Sequence, residues 1–210
     1  KFLDSGPGFG GSCFKKDILN LVYLSEYFGL PEVANFWEGV VSLNNWHQDR
    51  ISQLVVKKLF GTVSGKKISI LGFAFKANTN DTRESASIKI CKDLLKEGAI
   101  LRIHDPKVDS QQITKDLKLQ EKNIQNKKEL ITHNPFEGNW CFCDDIYDSI
   151  NNSDAVLVLT EWEEYSNINW NKVSKIMRKP SWIFDARSVI EPSKVIKTGL
   201  NLWRIGDGLN

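Results

Sequence analysis

From residue 66 onward the chain alternates short, β-branched apolar runs with amphipathic stretches, and this alternation restricts the fold more than any other feature. The run "KKISILGFAF" opens the series as a strand closing at Gly72, and "SASIKICKDLLKEG" (85–98) reads as an amphipathic helix ended by glycine. "AILRIHDP" (99–106) is a second strand, "DAVLVLTEW" (154–162) a third, "SWIFDAR" (181–187) a fourth and "LNLWRIG" (200–206) a fifth. Helices are expected near 144–152, 170–178 and 191–198. Strands that lack polar alternation are buried on both faces, and βαβ order demands right-handed crossovers. The expected class is therefore α/β: a Rossmann-like, doubly wound parallel-sheet domain preceded by a long central helix. Residues 107–140, polar and poorly periodic, read as a surface excursion rather than a site.

The first third is helical. Residues 14–29 carry apolar side chains on most sides (Ile18, Leu19, Leu21, Val22, Leu24, Phe28), which predicts a well-buried helix. Gly29 and Pro31 end it and start the next. In residues 32–60, Val33, Phe36, Trp37, Val40, Val41, Ile51, Leu54, Val55 and Leu59 fall at spacings of three and four. One helix of that length is a rod of roughly 40 Å, suited to a spine or a dimerisation surface. A break near Asn44-Asn45 is the alternative. The chain thus divides into residues 1–61, with a glycine-rich loop and the helices, and residues 62–210, the sheet domain.

The net charge of +2 argues against a nucleic-acid binder, which would concentrate basic residues on one face. No apolar run approaches the roughly 18 residues of a membrane span. Four cysteines, Cys13, Cys91, Cys141 and Cys143, are too unevenly spaced for a disulfide framework. "CFC" at 141–143 lacks a second ligand pair at zinc spacing, so no metal is expected. A reducing, cytoplasmic setting follows. Because the sequence opens inside functional-looking residues, "KFLDSGPGFGG", a fragment of a longer protein is expected.

Two stretches carry chemistry. In "GPGFGGSCFKKD" (6–17), Cys13 sits where a glycine-rich turn becomes a helix, so free N–H groups and the helix dipole favour a thiolate. Asp17 follows at i+4 on the same helical face, with Lys15 and Lys16 adding positive charge. A buried, inert cysteine is the plainer reading. In "GFAFKANTNDTRES" (72–85), the first βα turn of the sheet has one glycine where dinucleotide binding wants G-x-G-x-x-G, so NAD is not expected on this domain. Lys76 and Arg83 place two cations at the carboxyl end of a strand, where phosphate or sugar hydroxyls could bind. Solvated loop charges are the alternative.

Together these motifs resemble the UDP-glucose/GDP-mannose dehydrogenase family over essentially the whole chain. "GPGFGGSCFKKD" looks like its catalytic-cysteine motif, "GFAFKANTNDTRES" like its second signature, and "WIFDAR" stands where the family carries "FIFDGR". "GSCFKKD" and "NTNDTRES" favour the UDP-glucose branch over the GDP-mannose and UDP-N-acetylmannosamine branches. The resemblance implies oxidation of UDP-glucose to UDP-glucuronate with two NAD, Cys13 holding the substrate as a thiohemiacetal and then a thioester. By the same resemblance Asp17 assists Cys13, and Asp4, Ser5, Gly6, Pro7, Gly8, Phe9 and Gly10 wrap the sugar nucleotide. Phe75, Lys76 and Arg187 meet it from the sheet domain. Cys13, Phe14, Lys15, Lys16 and Arg83 reach NAD held mainly by an N-terminal domain, and the long helix forms a homodimer or higher homo-oligomer. Asp4 departs from the Asn or Lys common in the family. The N-terminal domain with its catalytic Glu and Lys is not in this sequence, so the free-standing chain is expected to be inactive. A non-catalytic nucleotide-sugar-binding module and a dehydrogenase of another nucleotide sugar are the rival readings.

Overall fold

The computed structural model describes residues 4–122 and 137–208. A helical hairpin comes first: α1 spans Phe14–Tyr27 and α2 spans Pro31–Lys58. Gly29 at φ +70° turns the chain between them, and Pro31 starts α2 where its missing N–H costs nothing. The 28 residues of α2 run unbroken through Asn44 and Asn45. Its C-terminal half drives Ile51, Val55 and Leu59 into the core of the sheet domain, each burial stabilising by about 1.5–3 kcal/mol.

The hairpin departs from expectation in one respect. Helix α1 buries only Ile18 and Ser25, while Leu19, Leu21, Tyr23, Leu24, Tyr27 and Phe28 stay exposed. Within the described residues α1 packs chiefly on α2, and a helix with one neighbour can cover only one stripe. The apolar side chains on its other sides remain in contact with water.

The sheet domain places β1 (Lys67–Leu71), β2 (Ile100–His104), β3 (Asn139–Phe142), β4 (Ala155–Val158), β5 (Trp182–Asp185) and β6 (Asn201–Arg204) in the order β3-β2-β1-β4-β5-β6. All five pairings are parallel. Between the strands lie α3 (Ala86–Lys96), α4 (Ser110–Leu117), α5 (Ile146–Ile150), α6 (Glu163–Ser166), α7 (Trp170–Ile176) and α8 (Pro192–Ile196). Strands β1 and β4 are almost wholly buried, as central strands covered on both faces must be; β4 is apolar throughout, and buried Ser69 of β1 is satisfied by Ser149 at 2.8 Å. The order reverses between β1 and β4, and such a switch point is where doubly wound sheets open a crevice at their carboxyl ends.

The segment read as a polar excursion contains structure at both its ends. Asp109 caps α4, accepting from the Gln112 N–H at 2.8 Å, and Ile113 and Leu117 anchor that helix. Residues Asn139–Phe142 form the edge strand β3. Two anchors in eight residues and a strand of four give too little periodicity to stand out in a sequence. Residues 123–136, the middle of that segment, lie outside the described residues.

Candidate functional site

The site is built at the carboxyl ends of the strands. After β1 the chain turns at Gly72 (φ +96°), where an added Cβ would stand 2.3 Å from the Thr160 Cβ. Thr160 donates to the Ala74 carbonyl at 2.6 Å, tying the loop after β4 to the loop after β1. From the end of β2, buried Asp105 accepts the N–H groups of Phe73 (2.7 Å) and Ala74 (3.0 Å) on one oxygen. Its other oxygen accepts those of Lys107 (2.9 Å) and Val108 (3.0 Å). The Trp162 indole adds a longer bond at 3.3 Å. Phe73 is fully buried. The first βα turn is therefore filled by protein and leaves no cradle for a pyrophosphate.

Across this platform runs the glycine-rich segment, and α2 clamps it. The Phe9 N–H donates to Asn44 Oδ1 at 2.8 Å, and Asn44 Nδ2 donates to the Phe9 carbonyl at 3.2 Å. His47 Nε2 lies 3.0 Å from the Gly6 carbonyl oxygen. On the opposite side the Gly11 N–H donates to the Arg83 carbonyl at 2.9 Å. Gly8 is required twice over: its φ is +118°, and a Cβ would fall 2.6 Å from Asn44 Oδ1. A Cβ at Gly10 would meet the Glu84 carbonyl oxygen at 2.4 Å. The glycines thus let the loop lie against α2 and the second signature.

Beneath the loop sits Arg187, aligned by Asp185 at the end of β5, whose carboxylate accepts the Arg187 N–H at 3.0 Å. Burial pushes the Asp185 carboxyl upward against the amide bonds that favour its charge. The Arg187 guanidinium donates through Nε to the Leu159 carbonyl (2.8 Å) and through Nη2 to the Phe75 carbonyl (2.9 Å). It also pairs with Glu161 at 3.3 Å. Burial lowers its pKa and Glu161 opposes that shift. A Cβ on Gly6 would meet its Nη1 at 2.9 Å, so the cation stands directly under the loop.

Cys13 ends the loop as the residue before α1 and is exposed. Its sulfur lies 3.6 Å from Ser12 Oγ. The Asp17 N–H donates to the Cys13 carbonyl at 2.9 Å, but no hydrogen bond joins the two side chains. Phe14 packs edge-on against Phe9, with centroids 4.8 Å apart. Lys15 reaches across to Glu84 at 2.8 Å, fastening α1 to the turn after β1, while Lys16 is exposed. Arg83 is gripped bidentately by Asp81 (Nε 2.9 Å, Nη2 2.7 Å). That bond holds the Asp81 carboxyl below its ordinary range and raises Arg83.

Phe75 is half-buried with its ring against Gly11. Exposed Lys76 leans over that ring, 5.3 Å from its centroid. Pro7 is buried, and Asp4 and Ser5 are exposed, Ser5 beside Gly206 after β6. The structure thus gathers the loop, Cys13, Phe75, Lys76, Arg83 and Arg187 around one end of the sheet. Reasoning from sequence missed Asn44, His47, Gln48, Glu84 and Asp105. Asn44 and Gln48 left a trace, because they are polar at i and i+4 on the stripe that continues as Ile51 and Val55. Among the described residues no group of three His, Cys, Asp or Glu is placed to hold a metal ion, and no helix is long and apolar enough to cross a membrane.

Residues 69–192 match the UDP-binding domain of the UDP-glucose/GDP-mannose dehydrogenase family, and residues 1–46 match its central domain. A doubly wound sheet matched over most of its length to this UDP-binding domain defines the class, and this chain belongs to the UDP-glucose/GDP-mannose dehydrogenase family. It is 40% identical to UDP-glucose 6-dehydrogenase 2 of Oryza sativa subsp. japonica, over 100% of this chain and 44% of the relative. It is 42% identical to UDP-glucose 6-dehydrogenase of Drosophila melanogaster, over 98% of this chain and 42% of the relative. The chain therefore spans less than half the length of these relatives. Its fold is also that of a UDP-glucose dehydrogenase from the archaeon Pyrobaculum islandicum, with TM-score 0.66, 24% identity and coverage of 94% of this chain and 38% of that one.

Proposed function

We propose that this chain is the cysteine-bearing and UDP-sugar-binding part of an NAD-dependent UDP-glucose 6-dehydrogenase, which oxidises UDP-glucose to UDP-glucuronate. In this reading residues 1–61 carry the cysteine loop and the dimerising helices, and residues 62–210 form the domain that binds the UDP-sugar. One observation carries the proposal. The loop ending at exposed Cys13 lies over the switch point of the sheet, with the Arg187 guanidinium beneath it and Phe75 and Lys76 at its edge.

Each group then has a task. The loop from Asp4 to Gly10 borders the sugar nucleotide, while Arg187 and Lys76 supply positive charge for its phosphates. Cys13 attacks the C6 aldehyde and holds it as a thiohemiacetal, so that the half-oxidised sugar is not released. The second oxidation leaves a thioester on the same sulfur, which water cleaves to the carboxylate. Asp17, one turn along α1, orients that water.

NAD does not fit the turn after β1, where Gly72, Thr160 and Phe73 close the space. The exposed cations Lys16 and Arg83 beside Cys13 fit it as outer contacts, with Phe14 and Lys15 completing that side. When bound, NAD takes up the electron pair of each oxidation. Apolar side chains exposed on α1 and α2, among them Leu21, Tyr27, Phe36 and Trp46, support association through the hairpin.

The test is to assay the full-length protein with UDP-glucose, UDP-N-acetylmannosamine and GDP-mannose. Turnover of UDP-glucose well above the others is expected. Preference for another nucleotide sugar, or binding without turnover, would replace this reading by one of its rivals.

A further inference from the structure

Two consecutive residues of the turn before α3 hold the chain on either side of Cys13. Two positions before the cysteine, the Gly11 N–H donates to the Arg83 carbonyl at 2.9 Å. Two positions after it, Lys15 Nζ meets Glu84 Oε2 at 2.8 Å. The Glu84 carbonyl also faces the loop, since a Cβ on Gly10 would stand 2.4 Å from its oxygen. The first tie uses backbone alone and is open to any residue at 83. The second depends on the Glu84 side chain.

Glutamate is a poor match for the backbone at this position. The φ of Glu84 is +54°, in the left-handed region where a Cβ crowds the following carbonyl. Asn78, earlier in the same turn, takes φ +64° with a side chain suited to it. Immediately after Glu84, Ser85 fixes the chain by donating to the Phe73 carbonyl at 2.8 Å and accepting the Ser87 N–H at 3.3 Å. Position 84 is thus held left-handed from outside its own side chain. The ion pair does not offset that strain. Its partners are 33% and 49% exposed, and a pair so accessible to water contributes less than a left-handed residue other than glycine costs. Stability favours glycine or asparagine here, so the carboxylate has another use.

We infer that Glu84 is a positioning residue for Cys13. Its carboxylate pins Lys15 in the first turn of α1 and, with the Gly11 tie, holds the intervening sulfur at a fixed height above the turn. The inference rests on the reading of Cys13 as the nucleophile. A sulfur attacking a carbonyl carbon must approach along one line, and a displacement of about 1 Å costs about a hundredfold in rate. Helix α1 gives little other support, because within the described residues it packs chiefly on α2 and buries only Ile18 and Ser25. Glu84 acts through Lys15 and the loop, at a remove from the reacting atoms.

The experiment compares Glu84→Gly and Glu84→Asn with the wild type in the full-length protein. Both replacements accept the left-handed backbone, so melting temperatures are expected within about 3 °C of the wild type. With UDP-glucose and NAD, kcat is expected to fall about tenfold while KM for UDP-glucose changes less than about twofold. Iodoacetamide needs no fixed line of approach. Its reaction with Cys13, followed by peptide mass, is expected to stay within about twofold of the wild-type rate. A wild-type kcat in both variants overturns the inference. So does a fall in kcat matched by slower alkylation of Cys13, or by a melting temperature lowered by about 10 °C or more. A wild type that does not oxidise UDP-glucose, or a Cys13→Ser variant that still forms the acid, overturns the reading of Cys13 and the inference with it.

Discussion

Asn44, in the middle of α2, satisfies both backbone groups of Phe9 with one side-chain amide, accepting at 2.8 Å and donating at 3.2 Å. The pair imitates a rung of sheet, with an amide side chain replacing the second strand. It fixes the loop's height above the platform, and through Pro7 and Gly10 the positions of its neighbours. Asn44→Ala would leave a partly buried N–H and C=O without partners, at a cost of about 1–3 kcal/mol. Asn44→Asp keeps the acceptor and loses the donor, so it should fall between the two. Chemical denaturation of the three proteins checks the order.

Gly10→Ala tests the close approach on the other side. The new Cβ would stand 2.4 Å from the Glu84 carbonyl oxygen, a backbone atom held by the turn that also accepts from Gly11. The loop must lift, and about 1–3 kcal/mol of strain is expected. Gly39→Ala is the control, since nothing lies within 4 Å of its Cβ position in the middle of α2. It should stabilise by a few tenths to about 1 kcal/mol.

Asp105 holds the platform by accepting N–H groups on both oxygens. Asp105→Asn turns one end into a donor facing donors, and stability should fall by about 3 kcal/mol. Amide exchange at Phe73 and Ala74 should accelerate well beyond that at Ile68. Uniform acceleration across the sheet would mean that Asp105 has no local hold on the turn.

His104 sets a pH dependence. The Tyr165 hydroxyl donates to the His104 carbonyl at 3.1 Å, so the ring Nδ1, 3.0 Å from the phenol oxygen, carries the proton of their second bond. Burial lowers the pKa of this histidine from its ordinary 6.5. Above pH 6.5 both folded and unfolded chains hold it neutral, and its contribution is fully present. As pH falls below 6.5 the unfolded chain takes up the proton first, and stability is lost until the folded-state pKa is passed. One proton limits the slope to about 1.4 kcal/mol per pH unit. Melting temperatures between pH 7.5 and 5 should fall in the wild type and fall less in His104→Gln.

Cys13→Ser in the full-length protein should abolish formation of the acid, because an alkoxide at that position forms no comparable thioester. On the proposed role of Lys76, contacting the substrate away from the reacting carbon, Lys76→Ala should raise KM severalfold with a smaller change in kcat. Unchanged kinetics in either variant would remove that residue from the site.

The parallel sheet was legible because β1, β2, β4 and β5 are short, mostly apolar and β-branched or aromatic runs of four or five residues, with at most two polar residues each, flanked by glycine, proline or aspartate. Edge strand β3, with Asn139 at one end and half-exposed Phe142 at the other, lacks that signature. The burial of α1 was misjudged because apolar residues on all sides record what a helix can cover, not which partner is present. Cys13 and its glycines announced themselves by local motif. Asn44, His47 and Asp105 did not, since each acts on a segment more than 30 residues away and only the fold brings them together.

Helix α2 carries the clamp residues Asn44 and His47 and the core anchors Ile51, Val55 and Leu59 on one uninterrupted body. The azimuth of the loop's clamp is therefore geared to the sheet through the helical repeat itself. A single residue inserted between Gln48 and Ile51 would swing Asn44 by about 100° and disengage it from Phe9, though every side chain of the clamp would still be present.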